Sequence, residues 1–189
     1  PGHVEAHLGM AKLLLDLDRT EEALGAARNA LALSPDDALL HATVGEAYLR
    51  LVQGPQAMPH LARALEEKPQ LHALREQLAG ILLDAGRNDE AVALFAGVGA
   101  RFAGDLAFRV AMAATYRRSG NGALAERAYL DLLDLDPQRE ATYSDLVQLY
   151  MDHALYSKAR DIVSRALRIN PNRPVLWNML GLAQTSLGL

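Results

Sequence analysis

Apolar residues recur at every third or fourth position through stretches such as AHLGMAKLLLDL (6–17) and ATYSDLVQLYMD (141–152). That is the period of one helix face, not the alternation of a strand. The same spacing predicts paired helices along the whole chain. The first helices of the pairs are predicted over 4–17, 37–51, 71–85, 105–119, 139–153 and 173–187, the second over 19–33, 55–68, 88–102, 121–135 and 156–169. Prolines punctuate the pattern at Pro1, Pro35, Pro69, Pro137 and Pro171, 34 residues apart except for one double step, where Ala103 stands in the missing place. A fixed period of this length marks a stack of repeated units. The units are 4–37, 38–71, 72–105, 106–139 and 140–173, with a partial sixth over 174–189, in a single array spanning 1–189.

Each unit has a turn between its two helices. Gly86, Gly120 and Gly188 fall at the same place in their units, where a residue that tolerates positive φ ends the first helix. Asp18 is a tolerable substitute in the first unit. Val52 is a poor one, and Gly54 and Pro55 follow it, which predicts a shifted turn. Ala154 leaves the fifth turn the least well specified. Pro59 is expected to bend the fourth helix or cost it a backbone bond. Gly97 and Gly99 lie inside the predicted helix 88–102, each costing about 1 kcal/mol relative to alanine, which predicts a locally loose third unit.

Small, large and aromatic residues occupy fixed places in these units. The first helices carry Ala11, Gly45, Ala79, Ala113 and Gly181 at one small position, with Val147 the exception; the second helices carry Ala23, Ala57, Ala91, Ala125 and Ala159. Leu61, Phe95, Tyr129 and Val163 follow those alanines at a large position, Tyr48, Tyr116 and Tyr150 recur in the first helices, and the partial unit reads WNMLG with Trp177. In period and residue classes the chain resembles the tetratricopeptide repeat family over essentially its whole length. The resemblance implies an all-α fold, a right-handed α-solenoid of helix-turn-helix repeats with about eleven helices. Small residues let helices approach, larger ones fill the gap, and each hairpin buries its apolar face only against the next. Phe102 and Phe108 fit no family position; they flank the turn that lacks proline and are expected to pack over it.

Composition fits this reading. Half the residues are apolar but only 5% are aromatic, so alanine and leucine do most of the packing, as closely packed helices require. The net charge of −4, without a long run of one sign, gives no basis for nucleic-acid binding. With no cysteine, disulfides and thiol chemistry are excluded. No apolar run reaches membrane-spanning length, so membrane insertion is not expected. The chain opens at Pro1 without methionine and is read as a fragment; its compartment, cytoplasm or periplasm, stays open.

No catalytic constellation is visible. GNGALAER lacks the lysine and hydroxyl of a phosphate loop, and Gly97-x-Gly99 has Phe102 where a dinucleotide motif needs glycine. His3 and His7 are one helical turn apart with no third ligand nearby, so no metal and no cofactor are assigned. The expectation is a chain that is not an enzyme.

The resemblance also implies where a ligand would lie, in a groove lined by the first helices. The groove-binding candidates are Lys12, Thr43, Glu46, Gln77, Val110, Ala111, Ala114, Arg117, Asp145 and Gln148. Family members that clamp a chaperone's C-terminal carboxylate use Lys, Asn, Asn, Lys and Arg; Leu8, Lys12, Thr43, Ala73 and Gln77 stand there instead. The asparagine ladder of other members is replaced by Gly9, Thr43, Gln77, Ala111, Asp145 and Met179. The fourth unit offers a small apolar lining suited to an amphipathic helix or the apolar side chains of a partner. Asp16, Arg50, Asp84, Arg118 and Asp152 alternate in sign near the ends of successive first helices, which predicts a ladder of ion pairs between units. An acidic first unit and a mildly basic fourth favour weak head-to-tail self-association. The implied function is a protein–protein interaction scaffold or adaptor. The alternatives are the recruiting region of a larger enzyme, such as a glycosyl- or sulfotransferase, and a self-assembling structural module.

Overall fold

The computed structural model describes residues 2–188. Eleven α-helices and no strand occur among them. In chain order they are α1 (Gly2–Asp16), α2 (Thr20–Leu33), α3 (Ala38–Arg50), α4 (Gly54–Glu67), α5 (His72–Asp84), α6 (Asn88–Ala96), α7 (Leu106–Arg118), α8 (Gly122–Leu135), α9 (Glu140–Asp152), α10 (Tyr156–Ile169) and α11 (Pro174–Ser186). The chain forms two compact units, Pro1–Leu94 and Phe95–Leu189. In the first, α3 packs against α1, α2 and α4, and α4 against α5; in the second, α9 packs against α8, α10 and α11.

The repeated small residues sit where close packing needs them. Ala23, Ala57, Ala91, Ala125 and Ala159 are all fully buried, as are Ala11 and Ala113. Leu61, Phe95 and Val163 fill the large position without any exposed surface. Leu14 and Leu15 of α1, Ala23 of α2 and Ala47 of α3 form one apolar cluster. At the N-terminal ends, Asp37 accepts from the amides of Leu39 and Leu40, Asp105 from Phe108 and Asn121 from Leu124, each answering an amide with no partner inside its helix.

Every hairpin turn uses the same backbone solution. Asp18, Val52, Gly86, Gly120, Ala154 and Gly188 all have φ between 56 and 78°. In the five inner turns the next amide reaches back five residues, as in Gln53 N to Tyr48 O and Leu155 N to Tyr150 O, both 2.8 Å. This closes the last turn of the first helix. The shifted turn expected at Val52 is therefore not found. Val52 itself takes the left-handed conformation with its side chain 91% exposed, because the flanking helices fix the turn whatever residue stands there. A left-handed L-residue costs about 1–2 kcal/mol, and the branched side chain gains no packing in return. Glycine gives back part of this by adding freedom to the unfolded chain. Val52→Gly is expected to stabilise the protein by about 1 kcal/mol, read as a raised urea midpoint at unchanged slope, with Ala154→Gly giving a smaller gain of the same sign.

The turns between hairpins carry a second repeated device. Six residues after each proline place from residue 35 onward, a side-chain donor returns to that residue's carbonyl. His41 Nε2 meets Pro35 O at 2.8 Å, Arg75 Nη2 meets Pro69 O at 2.6 Å and Arg109 Nε meets Ala103 O at 3.0 Å. Tyr143 Oη meets Pro137 O at 3.0 Å and Trp177 Nε1 meets Pro171 O at 2.8 Å. Five donors of four residue types thus make one clasp. It explains Arg75, which is buried with its second terminal nitrogen donating to Leu94 O at 2.7 Å. It also explains how Trp177 stays placed while 54% exposed.

Another expectation is corrected. Helix α6 ends at Ala96 instead of running to 102, and 97–104 is a series of turns. Gly97 and Gly99 end the helix because neither offers side-chain burial to offset its backbone entropy. Helix α4 continues through Pro59, which, having no N–H, leaves out one backbone bond as expected. Phe108, fully buried, lies between Phe95 and Phe102 with ring centres at 5.4 and 5.2 Å, so the two unassigned aromatics do pack beside the proline-free turn.

Candidate functional site

The face expected to bind is made by the first helices, and it is described within each unit. In the first unit, Lys12 and Gln77 are exposed and Glu46 is half-buried. Thr43 is only 3% exposed, and its hydroxyl donates to Leu39 O at 2.8 Å. It therefore serves its own helix and offers no contact atom to a ligand. Glu46 accepts from Arg50 at 3.0 Å, and Arg50 also caps α1 by donating to Leu15 O. That corrects the first rung of the expected ladder. The guanidinium donates to the end-of-helix Leu15 carbonyl, which also accepts from Asp18 N at 3.1 Å, and not to the exposed Asp16 carboxylate.

In the second unit, α7 presents Val110 and Ala114 half-buried, with Ala111 buried beneath them. Toward the end of α7, Arg117 faces α9, its Nη2 4.0 Å from Asp145 Oδ1. Both side chains are partly exposed, so the pair contributes little to stability, about 0–1 kcal/mol. Below them lies Tyr129 of α8, 2% exposed. Its hydroxyl and Arg117 Nε are buried without a protein hydrogen-bond partner. Burial, then the neighbouring Asp145 carboxylate, raises the Tyr129 phenol above its usual value of 10, while Arg117 opposes them. Gln148, one turn beyond Asp145 on α9, is exposed and donates to Asp152 at 2.7 Å. The structure thus brings together an apolar strip (Val110, Ala114) and a polar border (Arg117, Asp145), with Gln148 engaged on its own helix. Tyr129 escaped the sequence reading as part of this group because its place in the repeat marks it as core.

A titratable pair lies at the second hairpin. His41 Nδ1 and His60 Nδ1 are 3.0 Å apart. His41 Nε2 must donate, since the Pro35 carbonyl only accepts. In the neutral pair, His41 Nδ1 is therefore the acceptor and His60 Nδ1–H the donor. Burial lowers the His60 pKa from its ordinary 6.5, and His41 and Arg28 add to the shift. The unfolded chain then binds the proton more readily than the folded one, so stability rises with pH up to about 6.5 and falls as pH drops below it. His60→Gln is expected to flatten the stability–pH curve between about pH 5 and 7, measured by urea unfolding at each pH.

Among the described residues, no group of three or more His, Asp or Glu side chains is placed to hold a metal ion. Among the same residues, no helix is long and apolar enough to cross a membrane.

Comparison with known proteins fits this architecture. Family models described as tetratricopeptide repeat match residues 8–72, 53–115 and 116–183. The human protein "Tetratricopeptide repeat protein 6" is 24% identical over 182 residues, covering 94% of this chain, which spans only 35% of that relative's length. The crystal structure of YrrB, described as a TPR protein with an unusual peptide-binding site, superposes with a TM-score of 0.70 at 18% identity, covering 97% of this chain and 91% of that one. MamA from Desulfovibrio magneticus RS-1 gives 0.73 at 15% identity, covering 92% and 98%. These likenesses place the fold in the α-solenoid class. With family matches extending over most of its length, the chain belongs to the tetratricopeptide repeat family.

Proposed function

We propose that this chain is a non-catalytic protein–protein interaction scaffold whose first helices bind an extended peptide or a helix of a partner. The observation that carries the reading is the α7 strip of Val110 and Ala114 bordered by Arg117 and Asp145. An apolar floor supplies affinity, and a paired cation and anion at its edge read the partner's orientation and charge. Lys12, Glu46 and Gln77 present a more polar first-helix face in the first unit. The peptide-binding site named for YrrB supports a role of this kind.

Peptides selected from a displayed random library against the intact chain test the proposal. Binders are expected to lose at least about tenfold in affinity to Val110→Arg, which places an unpaired charge on the apolar floor. Arg117→Glu is expected to change which peptide charges are chosen. Selected peptides that bind both variants as tightly as the parent would refute first-helix binding.

A further inference from the structure

A cavity of about 570 Å³ opens in the first unit between α4 and α6, with α5 as its floor. Met58 and Ala62 of α4, Leu78 and Leu82 of α5, and Leu94 of α6 line it, and Arg87 and Glu90 stand at its mouth. It lies among the second helices, away from the first-helix face. The repeat explains why it exists. One repeat before Leu82 stands Tyr48, and two repeats after it stands Tyr150. Both rings are buried between consecutive second helices and both hydroxyls are engaged. Arg28 donates to the Tyr48 hydroxyl and lies 5.4 Å from the ring centre. The Tyr150 hydroxyl donates to Glu126 at 2.9 Å, and Lys158 reaches the same carboxylate. Ala62 likewise stands where the α2–α4 seam has Arg28 and the α8–α10 seam has Leu130; the α6–α8 seam shares the alanine, as Ala96, but keeps the ring, as Tyr116. The α4–α6 seam is therefore the one of the four that lacks both the ring and the long side chain.

We propose that this cavity is a docking site for a tyrosine side chain of a protein partner. The walls are apolar, and the volume lies within the range of sites that enclose a small ligand. The mouth is complementary to a phenol. Arg87 holds Glu90 through Nε and Nη2, both at 2.7 Å, which leaves Nη1 only the Met58 thioether at 3.5 Å. A thioether is a weak acceptor, so a phenol oxygen entering the cavity takes the Nη1 donor and offers its own proton to Glu90. The chain's own tyrosines show the same two bonds, one received from Arg28 and one given to Glu126.

Methyl NMR of the full chain with p-cresol, the tyrosine side-chain analogue, provides the test. Saturable shifts are expected at Met58, Leu78, Leu82 and Leu94, with a Kd on the order of 1 mM for so small a ligand. Toluene is expected to bind several-fold more weakly, and the blocked peptide Ac-Ala-Tyr-Ala-NH2 to shift the same methyls. Leu82→Tyr fills the space from inside and is expected to weaken p-cresol at least tenfold; Ala62→Leu does so from the α4 side and serves if the first variant fails to fold. Absence of saturable shifts, or undiminished p-cresol binding in the folded variants, overturns the site. Toluene binding as tightly as p-cresol overturns the choice of tyrosine, and exclusion of the peptide while p-cresol enters overturns the protein partner.

Discussion

Phe108→Ala is expected to destabilise the second unit by about 3–5 kcal/mol, the cost of removing a fully buried aromatic side chain and leaving a cavity that its surroundings fill only in part. Phe108 has no exposed surface and sits between the rings of Phe95 and Phe102. It carries more here than its counterparts do elsewhere. Helix α6 stops at Ala96, so the chain over 97–104 has no helical hydrogen-bond ladder and depends on this aromatic stack. Phe102→Ala is expected to cost less, since that ring is partly exposed. Urea unfolding gives the magnitude, and hydrogen exchange should show the loss concentrated in α7 and α8. An effect below about 1 kcal/mol for Phe108→Ala would mean that the stack is incidental to the turn.

Gly45→Val is expected to cost about 3 kcal/mol, near the upper end for overpacking a core. A Cβ built on Gly45 falls 2.6 Å from Leu61 Cδ2 and 2.9 Å from its Cγ. Leu61 is fully buried and cannot swing aside into solvent. Gly181 occupies the same place in α11, yet a Cβ there meets nothing within 4 Å. Gly181→Ala should therefore stabilise its helix by up to about 1 kcal/mol, the propensity difference between glycine and alanine. Paired unfolding measurements of the two variants decide the matter; effects of the same sign would show that the close approach at α3 is not what Gly45 serves.

These two glycines show how far the sequence alone leads. The 34-residue period and the small-residue classes located both at the same place in the repeat, and ten of the eleven helices fall close to their expected limits. Whether a glycine is required depends on which side chain crosses it, and Leu61 crosses only the first. The turn at Val52 was misread for a related reason. Local preference argues against a branched residue at positive φ, but the packing of α3 against α4 outweighs a cost of that size. Helix α6 was drawn too long because its apolar spacing continues past Gly97, while the backbone does not. For the proposed binding face, the repeat pointed to the first helices and to the apolar strip on α7. It did not reveal that Thr43 is turned to its own backbone, or that Arg117 and Tyr129 come together below the surface. Both depend on side-chain direction, which residue spacing does not encode. The clasps escaped notice because histidine, arginine, tyrosine and tryptophan share no class except the ability to donate.

That shared ability sets the natural cassette for cutting and rejoining this array. The fastener at His41 holds the carbonyl of Pro35, and the one at Tyr143 that of Pro137. Splicing just before each proline carries both halves together, so a segment from Pro35 to Lys68 travels intact. A splice at the first helical residue, such as Ala38, parts donor from acceptor and makes each clasp depend on how a foreign turn presents its carbonyl.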